Sequence, residues 1–388
     1  MDLLHLDYII GSTKVQTLSA VARNITVNTL GKSDTLAYRE HIITGFNRAI
    51  GRFLSVSDIV ILRDPLRFFQ EIVINMSAPY LFGCEIEADP ELLSCFCDMI
   101  SSVQKNAPWF YVFPENLHCF LRPLLYDAPG HFQVASYRLM PIVRHHRAKI
   151  AEAAARGESY QLGKSFLRSI LEHLKSEGTE YSEDDIIGAL IMASLALTFT
   201  VSRNLPIAFC FLLARPDLRQ QLELEIKQVL GDGPITQEGL DKMQFLNAFL
   251  HESLRHSQDT LSNRKQALED YTFINGYQIP KGRMVEIVAL QLNVGLNAGF
   301  PRAEKLSPST AKKHSLTTPA KDFVTFSMGK NVCPGRFMAV QQIKIALILL
   351  LQKYDITTVS GRVPQPIHYR GGVMAEACNE PLLLKKKK

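Results

Sequence analysis

The chain has 388 residues, of which 46% are hydrophobic and 21% are charged, a composition typical of a folded globular protein and not of a disordered one. Its formal net charge is only +5 and the sequence shows no stripe of basic residues, so it does not predict a nucleic-acid-binding surface. The seven cysteines include no Cys-x-x-Cys pair, which argues against a disulfide framework or a zinc ribbon and favours reduced thiols.

Two apolar segments bear on membrane insertion. The opening residues, MDLLHLDYIIGSTK, lack the basic segment and long apolar core of a signal peptide or a membrane anchor. The longest apolar run, 186–201, contains a serine and two threonines and is shorter than the roughly 20 residues that span a bilayer, so we interpret it as a buried central helix. The terminal run 385–388 consists of lysines and is interpreted as a solvated tail. Attraction to an anionic membrane surface, or a di-lysine retrieval signal, is the alternative.

Helical spacing of apolar residues dominates the first two thirds of the chain. It predicts helices over 36–53, 90–104 and 136–157. Ser182, followed three residues later by Asp185, is a capping-box pattern that predicts the start of a long helix running toward Ala214. Pro206 lies inside that helix, so a kink or break is expected there.

Strand patterns enter only toward the C-terminus, after two further helices predicted over 217–230 and 237–256. Residues 270–279 predict a hairpin that turns at Asn275-Gly276, because this dipeptide favours the tightest hairpin turns. The later predictions are a turn at 280–282, a strand at 284–290, an irregular stretch at 296–322, a helix at 334–354, and short strands near Pro364 and Gly371. Without an internal repeat or a low-complexity linker, residues 1–388 are predicted to form a single, mainly α domain with a small β part.

The most informative stretch is a glycine-bearing loop that delivers Cys333 to the start of a helix. Gly329 and Gly335 permit backbone conformations and close approaches that a side chain would prevent. Pro334 suits a first helical turn, where its missing N–H costs nothing. Free N–H groups at such a helix start are expected to lower the pKa of the thiol and stabilise the thiolate that soft and borderline metals prefer. The alternative is a buried structural cysteine.

This loop matches the pattern F-x-x-G-x-x-x-C-x-G-x-x-x-A at Phe326, Gly329, Cys333, Gly335 and Ala339. The chain therefore resembles the cytochrome P-450 family, in which this loop binds heme. The resemblance implies heme b as the cofactor, with its iron axially ligated by Cys333 and with Phe326 against the heme. It also implies the family fold, incomplete at the N-terminus, because the resemblance begins at about residue 8. The family's membrane anchor, first helices and first sheet are then expected to be absent.

Upstream, Glu252 and Arg255 supply the E-x-x-R element of the family. At this spacing the carboxylate and the guanidinium share one helix face and can form a charge-assisted pair. The resemblance implies a structural pair that braces the fold behind the heme, together with a third arginine from the irregular stretch before the cysteine loop. The only match there, Phe300-Pro-Arg302, is poor.

Three further residues acquire a heme role only through the resemblance. Arg264 and Arg23 correspond to arginines that contact the heme propionates, and a guanidinium suits a carboxylate geometrically. A surface arginine is the alternative for Arg264. Asn331 stands where the family often has a basic propionate contact, and its amide could donate a weaker hydrogen bond.

The long helix after Ser182 corresponds to the one that crosses the distal heme face. Where the family often has A-G-x-D/E-T, the chain reads Ala196-Leu-Thr-Phe-Thr200, so Thr200 is the expected catalytic alcohol. Phe199 replaces the acid, which argues against efficient proton delivery unless an ordered water substitutes. A threonine bonded back to its own helix is the alternative for Thr200.

The resemblance implies a heme-thiolate monooxygenase, an oxidoreductase that inserts one oxygen atom of O₂ into an apolar small molecule. Electrons would come from NADPH through a flavoprotein reductase that docks near the Cys333 loop. The form of the motifs is similar to fungal secondary-metabolism members, and a terpenoid-like substrate is expected by analogy. A monomer at the endoplasmic reticulum membrane, in peripheral contact with it, is expected from the family, and otherwise a cytoplasmic protein.

Two other readings stay open. The chain could be a truncated heme-binding remnant without monooxygenase activity, or a helical scaffold without any cofactor. The adjacent His145 and His146 are interpreted as part of a solvated helix face, because neighbouring helical side chains point in different directions and do not converge on one metal ion.

Overall fold

Helices make up most of the described chain, as predicted. The computed structural model describes residues 6–10, 14–54, 58–83, 89–158, 160, 165–177, 181–258, 262–294, 306–308, 315–370 and 374–387. The helices are α1 (Leu6–Ile9), α2 (Val15–Thr29), α3 (Lys32–Ala37), α4 (Arg39–Phe53), α5 (Pro65–Phe82), α6 (Pro90–Asn106), α7 (Trp109–Val112), α8 (His118–Leu125), α9 (Ala128–Ala155), α10 (Phe166–Glu177), α11 (Glu183–Ala214), α12 (Pro216–Val229), α13 (Gln237–Lys242), α14 (Gln244–His256), α15 (Ala289–Val294) and α16 (Arg336–Lys353).

The strands are short and pair only antiparallel. They are β1 (Ile59–Leu62), β2 (Ser262–Gln266), β3 (Tyr271–Thr272), β4 (Gln278–Ile279), β5 (Met284–Ile287), β6 (Tyr354–Thr358), β7 (Ile367–Arg370), β8 (Met374–Ala377) and β9 (Leu382–Lys386). Strand β9 lies between β1 and β6, and three two-stranded sheets pair β2 with β5, β3 with β4 and β7 with β8.

The predicted hairpin is confirmed, with β3 and β4 joined around Gly276, whose φ of 86° is the left-handed conformation that glycine adopts without strain. The predicted strand over 284–290 is correct only to Ile287, because Ala289 and Leu290 already belong to α15. The predicted helix over 237–256 is two helices, since the chain turns out of the helical conformation at Met243.

The lysine-rich end of the chain is part of a sheet, so residues 385–387 are not a free tail, although the side chains of Lys385 and Lys386 are exposed to solvent as predicted. Lys385 and Lys386 belong to β9, whose alternate residues Leu382 and Leu384 are buried. Lys387 Nζ donates a 2.7 Å hydrogen bond to the carbonyl of Leu351 at the end of α16. The sheet therefore fixes this segment against the helical part of the fold.

Helix α11 runs through the centre of the fold and begins where predicted. The Ser182 hydroxyl accepts from the Asp185 N–H at 3.1 Å, the Asp185 carboxylate accepts from the Ser182 N–H at 3.0 Å, and Lys14 pairs with Asp185 at 2.8 Å. The helix continues through Pro206, so a break is wrong there, and the alternative of a kink stays a prediction.

By length and hydropathy α11 is the one helix of the described ranges that could cross a membrane, but 83% of its apolar window is buried inside the fold. That burial agrees with the interpretation of 186–201 as a central core helix. The buried apolar side chains form one cluster from Ile9 to Leu384. It includes α5, α11 and α16, and the contact of α11 with α16 positions the candidate site.

The histidine pair on α9 is only partly as predicted. His146 is buried and its ring lies edge-on to that of His145, with centroids 5.5 Å apart, so the solvated helix face is wrong for His146. Among the described residues no group of three or more histidine, cysteine or acidic side chains could hold a metal ion.

Candidate functional site

The Cys333 loop is held by its own backbone. The Cys333 N–H donates to the carbonyl of Phe326 at 2.8 Å, and a single 3₁₀ turn at Gly329–Asn331 closes when the Val332 N–H bonds the carbonyl of Gly329 at 3.1 Å. Gly329 has φ 62°, and Ser327 adopts a φ of 61°, which is unusual for a residue with a side chain. Backbone strain of this kind concentrates at functional sites, because the surrounding structure must enforce it.

Helix α16 begins just after the cysteine, at Arg336 and not at the predicted Pro334. The Arg336 side chain locks this start, donating to the carbonyl of Cys333 and to the carbonyl of Thr317, each at 2.9 Å. The Cys333 sulfur itself has the backbone N–H groups of Gly335 and Arg336, at the start of the helix, as partners, as the sequence predicts.

The protonation of Cys333 differs from the expectation. Burial raises the pKa of the Cys333 thiol above its ordinary value. Hydrogen bonds from the backbone of Gly335 and Arg336, and the charges of Arg336 and Arg23, lower that pKa but offset only part of the effect. The reason is that the loop removes the sulfur from water more effectively than one helix start stabilises its negative charge. The predicted lowering by backbone N–H groups is therefore present, but burial outweighs it, and the pKa of the Cys333 thiol is raised in the protein alone.

Cys333 and α11 face each other across a cavity of about 280 Å³. The helix supplies Ala196, Leu197, Thr200, Val201, Arg203 and Asn204. The opposite wall includes Phe326, Cys333, Gly335 and Ala339, four of the five matching positions of the loop pattern. The fold therefore brings together three of the predicted site residues, Cys333, Phe326 and Thr200, although Thr200 is far from the other two in the sequence.

On α11, Thr200 lies on the cavity face, whereas Thr198 is fully buried on another side of the helix. The alternative for Thr200 was a hydroxyl bonded back to its own helix. Ser194, on the same helix, makes such a bond, donating to the carbonyl of Leu190 at 2.8 Å. Within the described ranges the Thr200 hydroxyl makes no such bond. The backbone carbonyl of Thr200 accepts from Asn204 Nδ2 at 2.8 Å, and Asn204 Oδ1 in turn accepts from the Ser257 hydroxyl at 2.6 Å.

Behind the loop, the predicted Glu252–Arg255 pair is present as a two-pronged ion pair. Arg255 Nε and Nη2 donate to the two carboxylate oxygens of Glu252 at 2.8 and 2.7 Å, and the Glu252 side chain is only 5% exposed. Burial raises the pKa of Glu252, but the adjacent His251, His256 and Arg255 together hold it well below its usual range. Because the imidazoles lie 3.7 and 3.8 Å from the carboxylate, beyond hydrogen-bonding distance, we attribute this lowering chiefly to Arg255.

Sequence reasoning missed Asn293 as the partner that joins this pair to the loop side. Its carbonyl accepts from Arg255 Nη1 at 2.6 Å, and its side-chain oxygen accepts from the Val324 N–H at 2.9 Å. Asn293 lies on α15, just beyond a segment predicted as a strand, so no sequence signal pointed to it. The weak arginine candidate at 300–302 lies outside the described residues.

The three predicted propionate contacts, Arg23, Asn331 and Arg264, differ in how much of them the structure describes. The Arg23 guanidinium, on α2, donates to the carbonyl of Lys330 in the 3₁₀ turn, so α2 does reach the Cys333 loop. Asn331 lies exposed in the same turn. Arg264 belongs to β2, but its side chain lies outside the described part of the structure.

Comparisons with known proteins agree with this geometry. A family model described as Cytochrome P-450 matches residues 20–381. Cytochrome P-450 monooxygenase 151 of Postia placenta is 26% identical over 297 residues, which is 74% of this chain and 59% of that protein. Cytochrome P-450 monooxygenase pyr3 of Aspergillus fumigatus is 26% identical over 324 residues, which is 79% of this chain and 61% of that protein. The chain thus spans about three fifths of the length of the curated relatives it matches.

The fold itself is similar to that of a solved heme domain. The crystal structure of the cytochrome P-450DA heme domain superposes with a TM-score of 0.69 at 18% identity, covering 94% of this chain and 77% of that one. A mutant of the same domain gives a TM-score of 0.71 and covers 98% of this chain. The predicted fold class is confirmed.

Proposed function

Because the chain belongs to the cytochrome P-450 family, we propose that it is a heme-thiolate monooxygenase that inserts one oxygen atom of O₂ into an apolar small molecule. The observation that carries the proposal is the single cavity in which the Cys333 loop faces Thr200 on α11. A structural cysteine alone would not need a strained loop, a helix start and an opposing helix face around one space.

Heme is the cofactor that the family implies, and the residues of the loop side fit it. Cys333 offers a sulfur ligand, and the backbone N–H groups of Gly335 and Arg336 can stabilise its thiolate. The positive charge of Arg23 lies beside the same loop, where it suits an anionic propionate. When bound, a thiolate-ligated heme supplies the chemistry of O–O bond cleavage and substrate oxidation.

The protein's own residues then have distinct tasks. Cys333 would hold the heme iron through its sulfur, and Phe326, whose carbonyl accepts from the Cys333 N–H, would pack on the cofactor from the loop. Arg23, Asn331 and Arg264 are proposed as contacts to the propionates. The Glu252–Arg255 pair fixes the chain behind the loop through Asn293, and has no chemical role.

On the α11 side, Thr200 is the proposed catalytic alcohol, which holds a proton at Oγ1 in the cavity. Phe199 cannot supply that proton, because a phenyl ring has no acidic group. Asn204, which lines the same cavity and accepts from the Ser257 hydroxyl, is a polar neighbour on the same helix, and we propose that a water between Thr200 and Asn204 takes part in proton delivery. Proton delivery is therefore expected to be slower than in a site with a carboxylic acid.

The electrons are proposed to come from NADPH through a flavoprotein reductase. The exposed Lys330, next to Arg23, gives the surface around the Cys333 loop a positive charge that suits an acidic partner. Fungal relatives, among them monooxygenase pyr3, support a role in fungal secondary metabolism, and an apolar, terpenoid-like substrate is proposed by analogy. We further propose a single domain and a monomer, in peripheral contact with the endoplasmic reticulum membrane.

A heme-binding remnant without activity is the second candidate, favoured by Phe199 at the position of the acid. Turnover separates the two. The heme-loaded chain, mixed with a cytochrome P-450 reductase, NADPH and a panel of terpenoids, is expected to form oxygenated products that carry label from ¹⁸O₂. Heme uptake without labelled product in any reaction would favour the second candidate, a heme-binding chain without monooxygenase activity.

A further inference from the structure

A second and larger cavity lies between α16 and the helices α3, α13 and α14, with the segment 315–319 as a further wall. Its volume is about 780 Å³, within the usual range of small-molecule sites, and we call it the polar cavity. It shares no lining residue with the Cys333 cavity. On α16, Ala339 and Ile343 line the Cys333 cavity, while Gln341 and Lys344 line the polar cavity. At 3.6 residues per turn the two pairs point to different sides of the helix, so the polar cavity is a separate site.

Two buried side chains of the polar cavity have no hydrogen-bond partner in the described part of the chain. Gln341, only 6% exposed, leaves both its amide oxygen and its amide nitrogen unpaired. His251 is equally buried and stacks on the ring of Phe323 with centroids 4.3 Å apart, and neither of its ring nitrogens is paired. An unpaired buried polar group costs free energy, and a native fold rarely holds several at one place. Because both side chains line the same cavity, one polar molecule bound there can satisfy them.

The charge of the polar cavity favours a negative ligand. One acidic side chain, Asp241, lines it against three basic ones, Lys32, Arg336 and Lys344. Arg336 uses Nε and Nη1 on backbone carbonyls, which leaves Nη2 to donate. The Lys344 ammonium makes no hydrogen bond or ion pair with the residues that the structure describes. Burial lowers the pKa of Lys344 to about 8, because the charges of Asp241 and Glu225 offset only part of the lost hydration.

We propose that the polar cavity binds a small polyvalent oxyanion, a phosphate compound or a polycarboxylate. Its charged oxygens pair with Lys344 and Arg336 and accept hydrogen bonds from the Gln341 amide and the His251 ring. The two cations are eight positions apart on α16, roughly 12 Å along its axis, so a ligand with several charged oxygens suits them better than a monovalent ion. This inference does not depend on the proposed function, because the site lies outside the Cys333 cavity.

The test titrates pyrophosphate and citrate into the purified chain as isolated, by isothermal titration calorimetry at constant ionic strength and near neutral pH. Wild type is compared with Gln341→Leu, Lys344→Met and Lys353→Met. Lys353 is a matched control, since it lies on α16, burial lowers its pKa as well, and it does not line the polar cavity. Lys344→Met keeps the length of the side chain without its charge, and Gln341→Leu replaces an amide that has no partner among the described residues.

At least one of the two anions is expected to bind wild type, and the tighter one distinguishes a phosphate from a carboxylate ligand. Gln341→Leu and Lys344→Met should each weaken that binding by about 10- to 100-fold, the loss expected for one charge-assisted hydrogen bond. Lys353→Met should match wild type. The thermal unfolding midpoint of Gln341→Leu without ligand should not fall, because its amide has no hydrogen bond to lose.

Three results would overturn the assignment. The first is no heat of binding with either anion, which is what a cavity that holds only water would give. The second is unchanged affinity in Gln341→Leu or Lys344→Met, or an equal loss in Lys353→Met. The third is a lower unfolding midpoint for Gln341→Leu, which would show that the fold itself uses the amide. Each of them leaves heme binding at Cys333 unaffected.

Discussion

The two walls of the cavity are built on different principles. The loop wall is fixed by backbone and ionic bonds: the Cys333–Phe326 and Arg336–Cys333 hydrogen bonds in the loop, and the Glu252–Arg255 pair behind it. The α11 wall is a helix whose cavity face is set by single side chains, chiefly Leu197 and Thr200. Several mutually supporting bonds hold the backbone of Cys333 in place. On the α11 wall, by contrast, one substitution can change the shape or the chemistry of the cavity face. Iron ligation and turnover should therefore respond to different mutations.

The largest effect on stability is expected from the brace behind the loop. Glu252→Gln removes a buried charge and leaves Arg255 without its ionic partner, which costs about 3–5 kcal/mol in the free energy of unfolding. Urea denaturation of the heme-loaded chain measures it. The matched control is Glu238→Gln, whose pair with Lys242 is also on a helix but exposed to water, and it should leave stability unchanged. A similar loss in both variants would show that burial of the pair is not what matters.

A large effect on turnover with none on ligation is expected at the other wall. Thr200→Ala removes the proposed proton-holding hydroxyl and should lower product formation per NADPH by about 100-fold, the lower end for a general acid–base group. The spectrum of the carbon monoxide complex should keep its thiolate-type band, because the proposed sulfur ligand is on the loop wall and Thr200 is on the α11 wall. Undiminished product formation in Thr200→Ala would remove Thr200 from the catalytic residues.

The brace also predicts the pH dependence of stability. The pKa of Glu252 is lowered in the folded chain, so its contribution is fully present above its unfolded pKa of about 4.3 and is lost as the pH falls below that value. The loss should approach about 1.4 kcal/mol per pH unit for this one group. Unfolding free energies measured from pH 6 down to pH 3 should fall more steeply for wild type than for Glu252→Gln. Parallel curves would contradict the lowered pKa.

The smallest predicted effect tests the start of α11. Ser182→Ala removes the side-chain cap of the helix and should destabilise the chain by about 1 kcal/mol. Ser182→Thr, which keeps the hydroxyl, should recover most of that loss in a thermal denaturation series. The spectrum of the carbon monoxide complex should be the same in both, because the cap is at the start of α11, roughly five helical turns before Thr200. A changed spectrum would mean that α11 shifts as a whole.

The sequence identifies the loop wall better than the α11 wall, and the reason is physical. A glycine with positive φ, a proline before a helix and a cysteine between them are local requirements, so they are visible in a short pattern. The capping box at Ser182 and the Asn275-Gly276 turn are local in the same way, and both predictions are confirmed. The Glu252–Arg255 pair was predictable because i,i+3 spacing brings two helical side chains together.

Features that depend on tertiary neighbours were not predictable. Burial raises the pKa of the Cys333 thiol, against the lowering expected from the helix start. How deeply a loop is buried depends on the rest of the fold and cannot be predicted from the residues of the loop. Asn293 acquires its role only because α15 packs next to α14. Lys385 and Lys386 are polar, yet they belong to β9, which packs on the fold through the buried side chains of Leu382 and Leu384. Pro206 does not break α11, because tertiary packing in the core overrides the local preference.

The central claim, that Cys333 is the axial ligand of a heme, is tested most directly by the reduced, carbon-monoxide difference spectrum of the purified chain. Wild type loaded with heme is expected to show the red-shifted Soret band that thiolate ligation produces. Cys333→Ala should lose this band entirely, whereas Cys378→Ala, a matched partly buried cysteine outside the cavity, should retain it. A thiolate-type band that persists in Cys333→Ala, or its absence from heme-loaded wild type, would contradict the account.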